Sequence, residues 1–326
     1  MFSVVIPLYN KAPIIERTLR SVLGQTFTDY EVIIVDDGST DNGVEVIRKF
    51  INDPRILIFS QENQGVSVAR NRGIKESKFD YIAFLDGDDE WKPDFLLKIN
   101  EAILKFPNAS MYGTSSLHTN FITKESNDST ISKFRNKIVE VDCFRTANSL
   151  PHTSAIVVKK ASLYNLDKEL NVFPNGMKVC EDWACFHRIA ITDHLIYIGI
   201  PLGIRNNNVE GQITGREEIT DKELFYFWLD GVRYYNLLYN YWLNNNVNNK
   251  YFISYIKYNL RHNFKIFIKT KKWEVIDLMV SNLDSGIFCS FERRLYKNHK
   301  ETTISIIYIN LTKIYAKITN FFKVTF

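Results

Sequence analysis

Four short apolar runs shape the start of the chain: Phe2 to Leu8, Glu31 to Val35, Arg55 to Phe59 and Tyr81 to Leu85, each rich in β-branched residues. The segments between them have helical periodicity. Ile14, Ile15, Thr18, Leu19 and Val22 share one face of the first segment, and Val44, Ile47 and Phe50 or Ile51 share one face of the second. The order is βαβαβαβ, and the strands are apolar throughout rather than in alternation, which predicts a sheet covered on both faces. Right-handed crossovers then give an α/β, doubly wound, mostly parallel, Rossmann-like sheet. Such sheets bind ligands beyond the carboxyl ends of their strands, so function should be written in the residues that follow each strand.

Those followers are Tyr9-Asn10-Lys11, Asp36-Asp37-Gly38-Ser39-Thr40-Asp41, Gln61-Glu62-Asn63-Gln64-Gly65 and Asp86-Gly87-Asp88-Asp89, all expected on one rim. Three carboxylates within Asp86 to Asp89 repel one another unless a cation or hydrogen-bond donors sit among them. Hard divalent ions, Mg²⁺ or Mn²⁺, suit such oxygens and complete their shells with substrate phosphates. A solvated acidic turn capping the next helix, with Pro93 in its first turn, is the alternative. Capping explains Ser39 and Asp41 but not the pair Asp36 and Asp37, one of which can accept hydrogen bonds from a base or ribose. In Gln64 to Gly73, small residues allow close packing on the sheet. Arg70 and Arg72 point to different faces, so that one can reach a diphosphate or a carboxylate.

Net charge of +4, from 41 basic and 37 acidic residues, argues against a nucleic-acid partner. Cys143, Cys180, Cys185 and Cys289 include no CxxC pair, which excludes a zinc ribbon or disulfide scaffold and fits a reducing cytoplasm. Among the histidines, His187 and His194 lack ligand spacing and read as packing or surface residues. The longest apolar run, His194 to Ile204, is too short to span a bilayer. Phe2 to Leu8 lacks the basic flank and cleavage site of a signal peptide and reads as a strand.

From Met111 to Thr192 the pattern loosens. It contains a polar stretch at Thr123 to Thr130, a strand at Ser154 to Val158, and a helix opening at Glu181-Asp182 with Trp183, Phe186 and Ile189 or Ala190 on its apolar face. Beyond Glu217 the chain becomes aromatic and helical, with an Asn-rich break at Asn244 to Asn249. Residues 251–326 carry 13 Lys and Arg against 5 Asp and Glu, a net +8 that leaves −4 for the rest.

Taken in order, Val5-Ile6-Pro7-Leu8-Tyr9-Asn10, Val35 to Asp41, Asn63-Gln64-Gly65 with Ala69-Arg70-Asn71-Arg72-Gly73, and Phe84 to Asp89 resemble family 2 of the inverting nucleotide-sugar glycosyltransferases, which have the GT-A fold. A weaker resemblance runs through Ala155 to Lys160 and Glu181-Asp182-Trp183 to about Arg216, so it covers roughly two-thirds of the chain. It implies a GT-A catalytic domain over 1–216, with a nucleotide-sugar-binding half (1–110) and an acceptor-binding half (111–216). A basic, aromatic, helical C-terminal extension over 217–326 follows.

By the same resemblance Pro7, Tyr9 and Asp37 line the nucleoside pocket. Arg70 approaches the nucleotide, and Gly87 lies on the donor side between Asp86 and Asp88, the metal-binding pair, with Asp88 the direct ligand of Mn²⁺ or Mg²⁺. Asp182 matches the general base, a carboxylate that takes the proton of the attacking acceptor hydroxyl; an acidic helix start favoured by the dipole is the blander account. Glu181, His152, Arg205 and the loop Gln212-Ile213-Thr214 are expected near acceptor or donor. The implied activity is transfer of one sugar, from a donor whose base the family implies to be uridine, to a saccharide or lipid-linked glycan in cell-surface polysaccharide assembly. No QxxRW sequence supports a processive polymerase. A sugar-nucleotide nucleotidyltransferase or a non-catalytic glycan-binding module are the competing readings. The first lacks its glycine-rich loop here, and the second does not need Asp37, Asp86, Asp88 and Asp182 together.

Ile304, Ile307, Tyr308, Leu311, Ile314, Tyr315, Ile318 and Phe322 fall on one helical face with Lys313 and Lys317 opposite. Such a helix either packs on the catalytic domain or on a second copy in a homodimer, or rests on the anionic inner leaflet of the membrane. The expected location is therefore cytoplasmic, or peripheral on the cytoplasmic face.

Overall fold

A computed structural model describes residues 1–50, 52–145, 150–207, 209, 221–247 and 249–269. The first half is β1 (Phe2–Leu8), α1 (Ile15–Leu23), β2 (Tyr30–Asp37), α2 (Gly43–Arg48), β3 (Ile56–Gln61), α3 (Val66–Glu76), β4 (Tyr81–Phe84), β5 (Glu90–Trp91) and α4 (Phe95–Lys105). The second half adds β6 (Met111–Asn120), β7 (Ser126–Asp128), β8 (Ile138–Val141), β9 (Ile156–Lys159), α5 (Lys160–Leu166), α6 (Glu181–Thr192) and β10 (Leu195–Asn207). Two long helices follow, α7 (Asp221–Asn245) and α8 (Lys250–Lys269).

The ten strands among the described residues form one sheet in the order β3-β2-β1-β4-β9-β6-β10-β5, with β7 on β6 and β8 on β10. The first four strands are mutually parallel, as the βαβ pattern requires. β9 enters antiparallel between β4 and β6, β6 and β10 run parallel, and the short β5, β7 and β8 pair antiparallel on them. The doubly wound parallel sheet is thus confined to the first half of the described chain, and the other half is mixed.

Alternate residues of the strands feed two apolar layers. Val4, Ile6, Val32 and Ile34 pack with Ile15, Leu19, Phe95 and Ile99 of α1 and α4. Val5, Phe84 and Val158 pack on the opposite side with Ala184, Phe186 and Ile189 of α6. Gly73 explains how α3 approaches β1: a Cβ there would lie 2.4 Å from Val5 Cγ1.

Several expected boundaries move. β2 runs on through Asp36 and Asp37, so these carboxylates end the strand rather than follow it. Asp86 to Asp89 leads into β5, and Pro93 lies before α4 rather than in its first turn. The strand placed at Ser154 starts at Ile156, because Thr153–Ala155 form a 3₁₀ turn. The run His194 to Ile204 is β10, bulged on either side of Pro201. Phe50 lies beyond α2, whose buried residues are Gly43 and Ile47; Ile51 lies outside the described residues.

The boundary expected after 216 also lies outside the described residues. Beyond it, Val232, Tyr234, Tyr235 and Leu238 of α7 and Phe252, Tyr255, Ile256 and Leu260 of α8 join the apolar layer that holds α6. No helix among the described residues is long and apolar enough to cross a membrane.

Candidate active site

The rim is assembled from the ends of parallel strands, where local hydrogen bonds account for many of its acids. Asp36 Oδ1 accepts the Ser39 N–H (3.0 Å), and Asp41 accepts those of Ala12 (2.8 Å) and Gly43 (3.0 Å). Asn10, in the left-handed region, joins the two loops through Ser39 and Thr40. Asp37 is buried and accepts three hydrogen bonds: from Gln61 Nε2 (2.8 Å), Gln64 N (3.0 Å) and Gly65 N (2.8 Å). It therefore fixes the entry to α3. Pro7 is half-buried at the end of β1, and Tyr9 beyond it is 47% exposed.

The loop from Asp86 to Asp89 leaves β4 beside Pro7. A Cβ on Gly87 would lie 3.2 Å from the Pro7 carbonyl oxygen, so glycine allows the loop to lie against β1. Thr18 Oγ1 donates to the Gly87 carbonyl (3.1 Å). Asp86 accepts from Arg70 Nη2 (2.7 Å), whereas Asp88 turns to Lys11 Nζ (2.9 Å). Asp89 is buried, and its oxygens accept from Ser154 Oγ (2.6 Å) and Asn206 N (2.9 Å). His152 Nδ1 lies 3.3 Å from Asp89 Oδ2. Ligand atoms of Asp86, Asp89 and His152 all lie within 4.8 Å of one another. Of the pair Asp86 and Asp88 expected from sequence, the structure puts only Asp86 in this cluster.

Arg70 is the link between the two halves of the site. Its buried guanidinium donates to Asp86 and, through Nη1, to Glu181 Oε1 (2.8 Å) at the start of α6. Burial opposes its charge, but Asp86, Glu181 and Asp182 outweigh burial and raise its pKa. Burial likewise works against the charge on Asp86, and the Arg70 guanidinium more than offsets it, so its pKa falls. Burial, then the neighbouring Asp182, pushes Glu181 up to about 7 despite Arg70. Burial, then the charge of Arg205, pulls His152 down to about 3, which leaves a neutral ring. Asp89 rises well above the carboxylate range through burial and the charges of Asp88 and Asp86.

Asp182 stands in the first turn of α6, where it accepts from Thr153 Oγ1 (2.6 Å) and from the Trp183 N–H (2.7 Å). Thr153 and Ser154 thus join Asp182 to Asp89 through one 3₁₀ turn. Arg205 lies on β10 in register with His118 of β6, and its charge acts on Asp86 and His152. The loop Gln212-Ile213-Thr214 lies outside the described residues. Sequence reasoning missed Lys11, Asp89, Thr153, Ser154 and Asn206 as members of the site. Lys11 and Asp89 lay inside motifs already singled out, and Thr153 and Ser154 directly follow His152; Asn206 gave no local signal.

The sequence model of glycosyl transferase family 2 matches residues 3–169. Over 92 residues the chain is 47% identical to "uncharacterized glycosyltransferase YibD" of Escherichia coli, and over 107 residues it is 41% identical to "putative teichuronic acid biosynthesis glycosyltransferase TuaG" of Bacillus subtilis. These matches cover 28% and 32% of this chain, and only 27% and 42% of the two relatives. Among solved structures, S. aureus TarS 1–349 in complex with UDP-GlcNAc aligns with a TM-score of 0.60 at 18% identity, covering 95% of this chain and 91% of that one. A mannosyltransferase from Pyrobaculum calidifontis, in complex with GDP-Man and Mn²⁺, aligns at 0.50 and 17% identity over 72% of this chain and 62% of its own. At such identities the likeness is one of fold, the GT-A sheet expected from the resemblance. With half of its length matched in sequence by the family and that sheet beneath it, this chain belongs to glycosyl transferase family 2.

Proposed function

We propose that this chain transfers one sugar from a nucleoside-diphosphate sugar, a UDP-sugar, to a hydroxyl of a saccharide or lipid-linked glycan in polysaccharide assembly, with inversion at the anomeric carbon. The observation that carries this reading is the Asp86–Arg70–Glu181 bridge, which fixes the acidic loop after β4 to the helix bearing Asp182. Asp182 takes the proton of the acceptor hydroxyl while that oxygen bonds to the anomeric carbon; the bond to the diphosphate breaks, and its electrons leave with the diphosphate. The Thr153 hydroxyl orients the Asp182 carboxylate for this task. Pro7, Tyr9 and Asp37 bound the nucleoside. Arg205 and His152 stand on the acceptor side.

The acidic loop fits a divalent ion. Burial, then the charges of Asp88 and Asp86, pushes Asp89 up, and a cation among the three carboxylates would relieve this. Asp86 and Asp88 would hold Mn²⁺ or Mg²⁺, Asp88 turning from Lys11 to do so, and the neutral His152 ring, which clusters with Asp86 and Asp89, suits Mn²⁺ better than Mg²⁺. When bound, the ion offsets charge on the departing diphosphate. A UDP-GlcNAc complex of TarS and a GDP-Man, Mn²⁺ complex of the mannosyltransferase support the donor class and the metal. The name of TuaG supports the polysaccharide context.

Calorimetric titration with UDP, and GDP as control, with and without Mn²⁺, tests this reading. UDP binding that weakens without Mn²⁺ is the expected result; GDP preference would change the donor. Failure of both nucleotides to bind folded protein would sink the proposal. We extend the proposal to contact with an anionic membrane leaflet through the helical face of 304–322, which lies outside the described residues. Loss of liposome sedimentation on removing residues after Glu301 is expected, and unchanged sedimentation would refute it.

A further inference from the structure

Helix α7 holds the segment leading into α6, and both helices lie beyond the span matched by the family. Asp230, buried on α7, accepts two backbone N–H groups through Oδ2, from Lys178 (2.7 Å) and Val179 (3.3 Å). Arg233, almost one turn further on, reaches Asp230 Oδ1 (3.6 Å) and the Gly176 carbonyl (3.3 Å). The residue after this clamp, Cys180, has a φ of 62° and opens α6 with no side-chain cap. A residue with a Cβ stays in the left-handed region only where its surroundings hold it there. Glu181 and Asp182 come next. One turn along α7 and nearly two along α6, Tyr234 OH and His187 Nδ1 pair at 3.0 Å and secure the body of α6 to α7. The clamp at Asp230 therefore governs the direction in which the first turn of α6 opens.

We propose that Asp230 is a positioning residue for sugar transfer, a role that rests on Asp182 being the base. It holds Lys178 and Val179 so that Cys180 stays left-handed and the Asp182 carboxylate stays against Thr153. The catalytic geometry then depends on α7, which acts as a splint for the base.

The test compares full-length wild type, D230A, D230N and D230A/C180G. Three readouts are used: hydrogen exchange of the segment 177–185, calorimetric UDP binding, and UDP release with UDP-GlcNAc as the probe. In D230A, exchange over 177–185 should rise about 10-fold with the rest of the chain unchanged. Turnover should fall about 100-fold, the scale of a misplaced catalytic group, while UDP affinity holds. Adding C180G should restore most of the turnover, because glycine adopts that φ without a clamp. D230N keeps one acceptor oxygen and should fall between, and it replaces D230A if that variant does not fold. Unchanged exchange over 177–185, or turnover that C180G fails to restore, would overturn the proposal. D182N separates the two ideas: full turnover there removes the base, whereas the exchange result judges the hold of Asp230 by itself.

Discussion

Asp37 and Asp182 are supported by opposite means. Asp37 takes its hydrogen bonds from residues 61–65, the neighbouring strand and its turn, so the parallel sheet that positions it also satisfies it. Asp182 depends on Thr153. The segment before it is tied at Phe173 by Asn71 of α3 (2.8 and 2.9 Å) and at Lys178 and Val179 by Asp230 of α7. One wall of the site is thus a product of secondary structure, and the other is a convergence of remote elements. Donor binding should therefore tolerate damage to the helical half, while transfer should not.

The sharpest way to break this comparison is D182N. Transfer should drop about 10³-fold, within the range of general-base losses, with UDP binding kept; calorimetry beside a UDP-release assay reads both. Loss of UDP binding would mean that the two walls are not separable. Next comes R70A, which strands Asp86 and Glu181 without their shared cation. Breaking a buried pair costs about 3–5 kcal/mol, and the partial exposure of Asp86 puts the expected loss near the lower figure, read from urea midpoints. Adding E181Q to R70A should recover part of it.

On the sheet side, G73A should cost about 1–3 kcal/mol by overpacking against Val5. V5A in the same chain should relieve it, and UDP affinity should change little. The smallest effect is a pH slope. Burial holds His187 down to about 3 in the folded protein, against 6.5 when free. Below pH 6.5 the unfolded chain therefore takes up a proton that the folded one refuses. Stability falls with pH through that window by at most about 1.4 kcal/mol per unit. H187F should flatten this limb between about pH 7 and pH 5 in urea titrations, and an unaltered slope would assign the acid sensitivity elsewhere.

The parallel half of the sheet was legible because its signals are local. The apolar runs, Gly73 and the face Ile15, Thr18, Leu19 and Val22 express periodicity and packing within a few residues, and the helix face is buried as expected. His187 is buried among aromatic rings, which agrees with its reading as a packing residue. Asp86 was legible as part of an acidic cluster and Arg70 as a residue able to reach a diphosphate or a carboxylate, but its second bond, to Glu181, was not. No periodicity announces that Asn206 will brace Asp89 or that Asp230 will cap the chain before Cys180. Those contacts join residues 117 and 52 apart. They follow from topology, which brings β10 beside the acidic loop and α7 beside α6.

The Arg70 to Glu181 contact has a bearing on synthesis. The two residues are 111 apart in the chain. At ribosomal speeds of about 5–20 residues per second, roughly 5 to 20 s pass between the emergence of one and of the other. During that interval the parallel sheet can form and Arg70 must remain hydrated or borrow Asp86 alone. A chain stalled before residue 181 would leave the Arg70 guanidinium to Asp86 alone, without the second carboxylate that completes the bridge.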